Sequence, residues 1–157
     1  MVYAWLHQGR VSIPGQIYFL TAVTQNREPF FRDFCNARVA VNELRRLHEC
    51  GLVRSLAWVV MPDHLHWLMG LGHAHSVSVV AKMMKARTAQ AINRNMNRHG
   101  QVWQRAFLEH AVRAEEDIVG IARYIVANPL RAGIAKRVGD YSHWEDRKST
   151  RLNSSHG

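Results

Sequence analysis

Val59-Val60-Met61-Pro62-Asp63-His64-Leu65-His66-Trp67-Leu68-Met69 is the stretch from which this chain is best read. Two apolar runs flank a tight Met61-Pro62-Asp63 connection, which predicts neighbouring strands over Leu52 to Val60 and His64 to Leu71. In a strand, residues i and i+2 point to the same face. His64 and His66 therefore project together while Leu65 turns into the core. Two adjacent imidazoles on a sheet surface are the start of a metal site. On spacing alone they are also what a half-exposed strand that happens to carry two histidines looks like. As ligands they need a third donor, oxygen or nitrogen, from another element. Mixed imidazole and carbonyl ligation suits Mn²⁺ and, less ideally, Mg²⁺. A tight structural zinc site would show cysteine or further histidines.

Toward the N-terminus, Pro14-Gly15 ends an arm, and Ile17 to Thr24, rich in β-formers, predicts the first strand. Asp33 is placed to cap a helix running to about Cys50, with Val39, Leu44 and Leu47 at helical spacing and Gly51 as its stop. Toward the C-terminus, Ser76 or Ser78 caps a helix from about Val77 to Arg98. Its apolar side is Val80, Met83, Met84, Ala91, Ile92 and Met96, and Gly100 ends it. Val102 to Arg113 alternates loosely and predicts a fourth strand. Glu115-Glu116-Asp117 open a last helix, where carboxylates favour the N-terminus, and Pro129 should end it near Asn128. The order β-α-β-β-α-β-α predicts an α+β fold: a ferredoxin-like split βαβ antiparallel sheet with an added C-terminal helix. One domain over 1–147 is expected. The polar stretch 148–157 resembles translated vector or adapter DNA and stays outside the fold reasoning.

Tyr124 and Asn128, in Tyr124-Ile125-Val126-Ala127-Asn128-Pro129, share one face of that last helix at i and i+4. A phenol attacks poorly until a nearby cation favours the phenolate and polarises the target. A paired-histidine strand with a tyrosine-bearing helix thus suggests metal-assisted attack on a phosphodiester. Tyr124 is otherwise an ordinary tyrosine of an amphipathic helix. Asn128 is a candidate third ligand, a helix cap before Pro129, or both.

Lys and Arg number 21 against 12 Asp and Glu, for a net charge of +9. Removing Lys148 and Arg151 with the tail leaves +7, still suited to a polyanion such as nucleic acid. Lys82, Lys85, Arg87, Arg94 and Arg98 on the second helix are either phosphate contacts or a solvated face. Trp103 would stack on unpaired bases. His110 is a supporting group of the site or a structural histidine. Cys35 and Cys50 have no ligand-like spacing and are expected as buried, reduced thiols. No apolar stretch reaches the ~18 residues of a membrane span, and Met1 to Gly15 lacks a signal peptide's apolar core, so a cytoplasmic protein is expected.

Met61-Pro62-Asp63-His64-Leu65-His66, Val102-Trp103-Gln104-Arg105 and Tyr124 to Gly133 occur in this order, and Tyr18-Phe19-Leu20-Thr21 precedes them. Together they resemble the marker blocks of the REP-associated tyrosine transposases, single-tyrosine HUH nucleases of the IS200-like type. The resemblance runs from about Val11 to Trp144. It implies a ferredoxin-like catalytic domain and Mg²⁺ or Mn²⁺ held by His64, His66 and Asn128. It also implies a Tyr124 nucleophile that cuts and rejoins single-stranded DNA at palindromic hairpins through a 5′-phosphotyrosine link. Arg105 joins the helix cations and Trp103 as a DNA-contact candidate. The N-terminal arm, which helps read DNA in such proteins, carries only Arg10 here. The other reading is a hairpin DNA-binding regulator without catalysis. A monomer and a homodimer, which in related enzymes exchanges the tyrosine helix, are both compatible with the resemblance.

Overall fold

Asp33 and Ser76 start the first two helices, and both do so by the expected chemistry. The Asp33 carboxylate accepts the Asn36 N–H at 3.2 Å, and the Ser76 hydroxyl accepts the Val79 N–H at 3.2 Å. The computed structural model describes residues 15–131 and 144–146. Arg10, with the rest of the arm, and the tail 148–157 lie outside the described residues. The elements are β1 (Ile17–Val23), α1 (Phe34–Glu49), β2 (Val53–Met61), β3 (His64–Leu71), α2 (Val77–Asn95), β4 (Leu108–Val112), α3 (Glu115–Arg131) and β5 (Trp144–Asp146). Short 3₁₀ turns cover Gln25–Arg27 and Phe30–Arg32.

The sheet has the order β4-β1-β3-β2-β5, with every pairing antiparallel. Its first four strands are the ferredoxin-like core expected from the sequence. Leu65, Trp67 and Met69 of β3 pack with Leu44 and Leu47 of α1 and Val80, Met84 and Ile92 of α2. Leu68 joins Ala57, Val59 and Met61 of β2 in a second cluster with Ile118, Ala122 and Ile125 of α3. So α1 and α2 cover one face and α3 the other. A bulge between Ser55 and Ala57 makes this possible on β2. Ser55 serves the first face, accepting the Trp67 Nε1–H at 2.9 Å, while Ala57, Val59 and Met61 serve the second. One extra residue switches the alternation.

Five expectations need correction. First, α2 stops at Asn95 instead of Arg98, because Asn97 already takes a left-handed conformation (φ 48). Second, β4 is limited to Leu108–Val112. The Lys85 ammonium binds the carbonyls of Gln104, Arg105 and Ala106, which takes up acceptors that a strand partner would need. Third, α3 continues through Pro129 to Arg131. The proline sits in the last turn, where its missing N–H forfeits only the bond to the Ile125 carbonyl. Fourth, β5, a three-residue edge strand on Ala57–Val59, was not foreseen. Fifth, both cysteines are exposed free thiols. Cys35 lies off the buried Ala37-Ala40-Val41-Leu44 stripe of α1, and Cys50 caps its end. Among the described residues no helix is long and apolar enough to cross a membrane.

Candidate active site on the α3 face

His64, His66 and Leu68 alternate along β3, and Leu68 lies in the α3 cluster. Both imidazoles therefore face α3, with ring centroids 4.9 Å apart. His66 stands opposite Thr21 of β1 and Val59 of β2, and His64 stands opposite Val23 and Met61. Each ring is held through Nδ1. The Thr21 hydroxyl meets His66 Nδ1 at 2.8 Å, and the Asp63 carboxylate meets His64 Nδ1 at 2.8 Å. Such bonds fix the orientation of each ring. The Phe19 ring stacks on His66 at 5.3 Å, and His66 is only 7% exposed.

Tyr124 of α3 meets His66 edge to face, with centroids 5.6 Å apart. It is 41% exposed although it sits on the face of α3 that packs on the sheet. Asn128 follows one turn later and is buried. Beside them opens a cavity of about 550 Å³, lined among others by Phe19, Thr21, His66, His110, Asp117 and Tyr124. Burial draws the His110 imidazole below its ordinary pKa, against the opposing pull of the Asp117 carboxylate. Among the described residues no three His, Cys, Asp or Glu side chains cluster as a metal site. A divalent ion here would thus have to complete its shell with an amide, a carbonyl, water or substrate. Two Nδ1-tethered imidazoles on the face covered by the Asn128-bearing helix fit that requirement.

Asp63 and Thr21 were not singled out from the sequence. Asp63 adjoins His64 in the opening stretch, so its role was within reach. Thr21 becomes the partner of His66 only through the β1–β3 register. On Asp63, burial by itself raises the carboxyl pKa. Hydrogen bonds and charge from His64 and Arg27 outweigh it and hold the group below its ordinary value.

The DNA-contact candidates are scattered. α2 covers the face opposite the histidines. Lys82, Arg94 and Arg105 are exposed. The Arg87 Nε donates to Glu43 at 3.0 Å. Arg98 donates to Asn93 at 2.6 Å and lies over the Phe30 ring. Lys85 spends its three protons on backbone carbonyls and covers the Phe107 ring. Trp103 is buried, and its Nε1–H donates to Thr88 Oγ1 at 2.8 Å. It packs in the α1/α2 core against Phe31 and offers no face to a base.

Residues 13–128 match the family model described as transposase IS200 like. The chain belongs to the IS200-like transposase family. A REP-associated tyrosine transposase of Escherichia coli K12 is 33% identical over 136 residues, covering 84% of this chain and 77% of the relative. A Haemophilus influenzae relative described as a REP-associated tyrosine transposase is 27% identical over 144 residues, covering 82% and 78%. Among solved structures, a REP-associated tyrosine transposase bound to a REP hairpin superposes with a TM-score of 0.73 at 25% identity, covering 86% of this chain and 79% of that one. A Deinococcus radiodurans protein at 23% identity and TM-score 0.54 shares the fold. The IS200-like match spans all four blocks quoted from the sequence up to Asn128, including both histidines and Tyr124.

Proposed function

We propose that this transposase-family protein is a metal-dependent single-stranded DNA endonuclease and strand transferase acting at palindromic hairpin repeats, with Tyr124 as nucleophile. The observation that carries the reading is the half-open Tyr124 phenol against the tethered His66 ring, 5.6 Å between centroids. Family membership, the hairpin-bound relative and the +9 charge support a DNA partner.

The Tyr124 oxygen attacks a backbone phosphorus. As the tyrosyl O–P bond forms, the bond from phosphorus to the 3′ oxygen breaks. The phenol proton passes to solvent and the leaving 3′ oxygen takes one up, so protons balance. The products are a 5′-phosphotyrosine link and a free 3′-OH. One phosphodiester has replaced another, so attack by a 3′-OH reverses the step without ATP. His64 and His66, through Nε2, and Asn128, through its amide oxygen, are the residues that would hold Mg²⁺ or Mn²⁺. When bound, the ion polarises the phosphate and favours the phenolate. Thr21 and Asp63 keep the two rings from turning. The stacked Phe19 ring shields the inner side of His66 from water.

The test is incubation with hairpin DNA bearing single-stranded flanks and Mn²⁺, followed by a denaturing gel. A covalent protein–DNA adduct is expected from the wild type and none from Tyr124→Phe, with hairpin affinity within a few-fold of each other. Binding without any adduct would make the protein a hairpin-binding regulator. An adduct that persists in Tyr124→Phe would move the nucleophile elsewhere.

A further inference from the structure

The turn Thr24 to Glu28 has no part in the chemistry above, yet its backbone is strained. Asn26 and Arg27 both have left-handed φ, 56 and 51; asparagine adopts this region readily, but for arginine it is costly. Surrounding bonds hold the turn in place. The buried Thr24 hydroxyl reaches the carbonyls of Glu28 at 2.8 Å and Asp63 at 3.0 Å. The Thr24 N–H donates to Asp63 O at 2.9 Å, and the Arg27 N–H returns to Thr24 O at 3.1 Å. Strain that neighbours over-determine points to a functional backbone.

The side chain this turn presents is Arg27. Its Nη1 donates to Asp63 Oδ2 at 3.1 Å, and the other oxygen of Asp63 holds His64. The Arg27 side chain is 64% exposed. An exposed ion pair contributes too little to repay a strained arginine. The other guanidinium N–H groups have no partner among the described residues. Among the described residues no lysine or arginine lines the cavity beside Tyr124, and the α2 cations lie across the sheet. Arg27 puts an exposed cation beside Asp63 and His64 at this end of β3.

We infer that Arg27 is a phosphate anchor for the substrate strand, presented beside His64 by the strained turn and aimed by Asp63. The inference rests on the DNA-processing reading above. A guanidinium suits the role because its planar fork can keep one bond to Asp63 while it donates others to phosphate oxygens.

The experiment measures binding of a hairpin with single-stranded flanks in EDTA across a salt series, for wild type, Arg27→Ala and Arg27→Lys. Mn²⁺ affinity is measured separately by calorimetry without DNA. Arg27→Ala should lose about tenfold in affinity and make the log–log salt slope shallower by roughly 0.7. Arg27→Lys should keep the slope and recover part of the affinity. Mn²⁺ affinity should stay within about threefold, since Asp63 still holds His64. Unchanged DNA affinity and slope in Arg27→Ala would overturn the anchor, as would a loss confined to Mn²⁺ binding. A wild type that binds no DNA would overturn the DNA-processing reading itself, and this inference with it.

Discussion

The Thr21 hydroxyl lies 2.8 Å from Nδ1 of His66, forty-five residues away in the chain. The bond crosses from β1 to β3 at a paired position. It ties the imidazole through Nδ1, with the ring against Tyr124 on the face that α3 covers. Asp63 does the same for His64 from the adjoining position. Two different partners thus orient two rings, and they can be removed one at a time.

Thr21→Val keeps the shape of the side chain and deletes that hydroxyl. Mn²⁺ affinity, read by calorimetry, should fall about 10- to 100-fold, the usual effect of losing a group that orients a ligand. Stability in urea should fall by about 1 kcal/mol. Unchanged Mn²⁺ binding would reduce Thr21 to a packing residue.

His64→Ala should stop cleavage while leaving DNA binding in place, because it removes a ligand and leaves the cationic surface intact. Wild type in EDTA should behave alike, with DNA shifted on a native gel and no adduct on a denaturing one. Full cleavage in EDTA would remove the metal from the mechanism.

Trp103 separates packing from base stacking. Trp103→Ala should cost about 3–5 kcal/mol in a denaturant melt. Trp103→Phe should cost less, chiefly the Nε1–Thr88 bond of 2.8 Å. DNA affinity of the folded Trp103→Phe protein should match wild type. A drop in affinity at near-native stability would restore the stacking role.

Burial lowers the Lys85 ammonium from its ordinary 10.5 to about 8. Between those two values the unfolded chain holds the proton and the folded chain does not, so stability from this group rises with pH across that window. The contribution is complete above the unfolded value and is lost as pH falls through the folded one. Lys85→Met should flatten the dependence in melts taken across that window. A wild-type curve without the rise would mean that the three carbonyls keep Lys85 charged.

The double variant Lys82→Ala/Arg94→Ala should change the DNA salt slope less than Arg105→Ala does. α2 lies across the sheet from Tyr124. Arg105 instead sits in the segment that pairs with the end of β1: the Gln104 N–H donates to Val23 O at 2.9 Å, and Val23 stands opposite His64. A larger effect from the α2 pair would put the DNA on the α1/α2 face.

Much of this molecule was legible along the chain, because local rules act within a few residues. Alternation put His64 and His66 on one side of a strand whatever the strand packed against. Asp33 and Ser76 announced their helices, and the i,i+4 spacing put Tyr124 and Asn128 on one helical face. Order and type of the main elements follow from the same periodicities. Five features depended on partners far away in sequence: the side of the sheet that α2 covers, the burial of Trp103, the capture of Lys85 by three carbonyls, the Thr21–His66 bond and the Arg27–Asp63–His64 chain. Each is settled by strand register and by which apolar faces meet, and these follow from burial over the whole domain. A cation on a helix reads the same in sequence whether its helix lies over His64 and His66 or behind them. Only the packing of α1 and α2 on one face and α3 on the other separates the two.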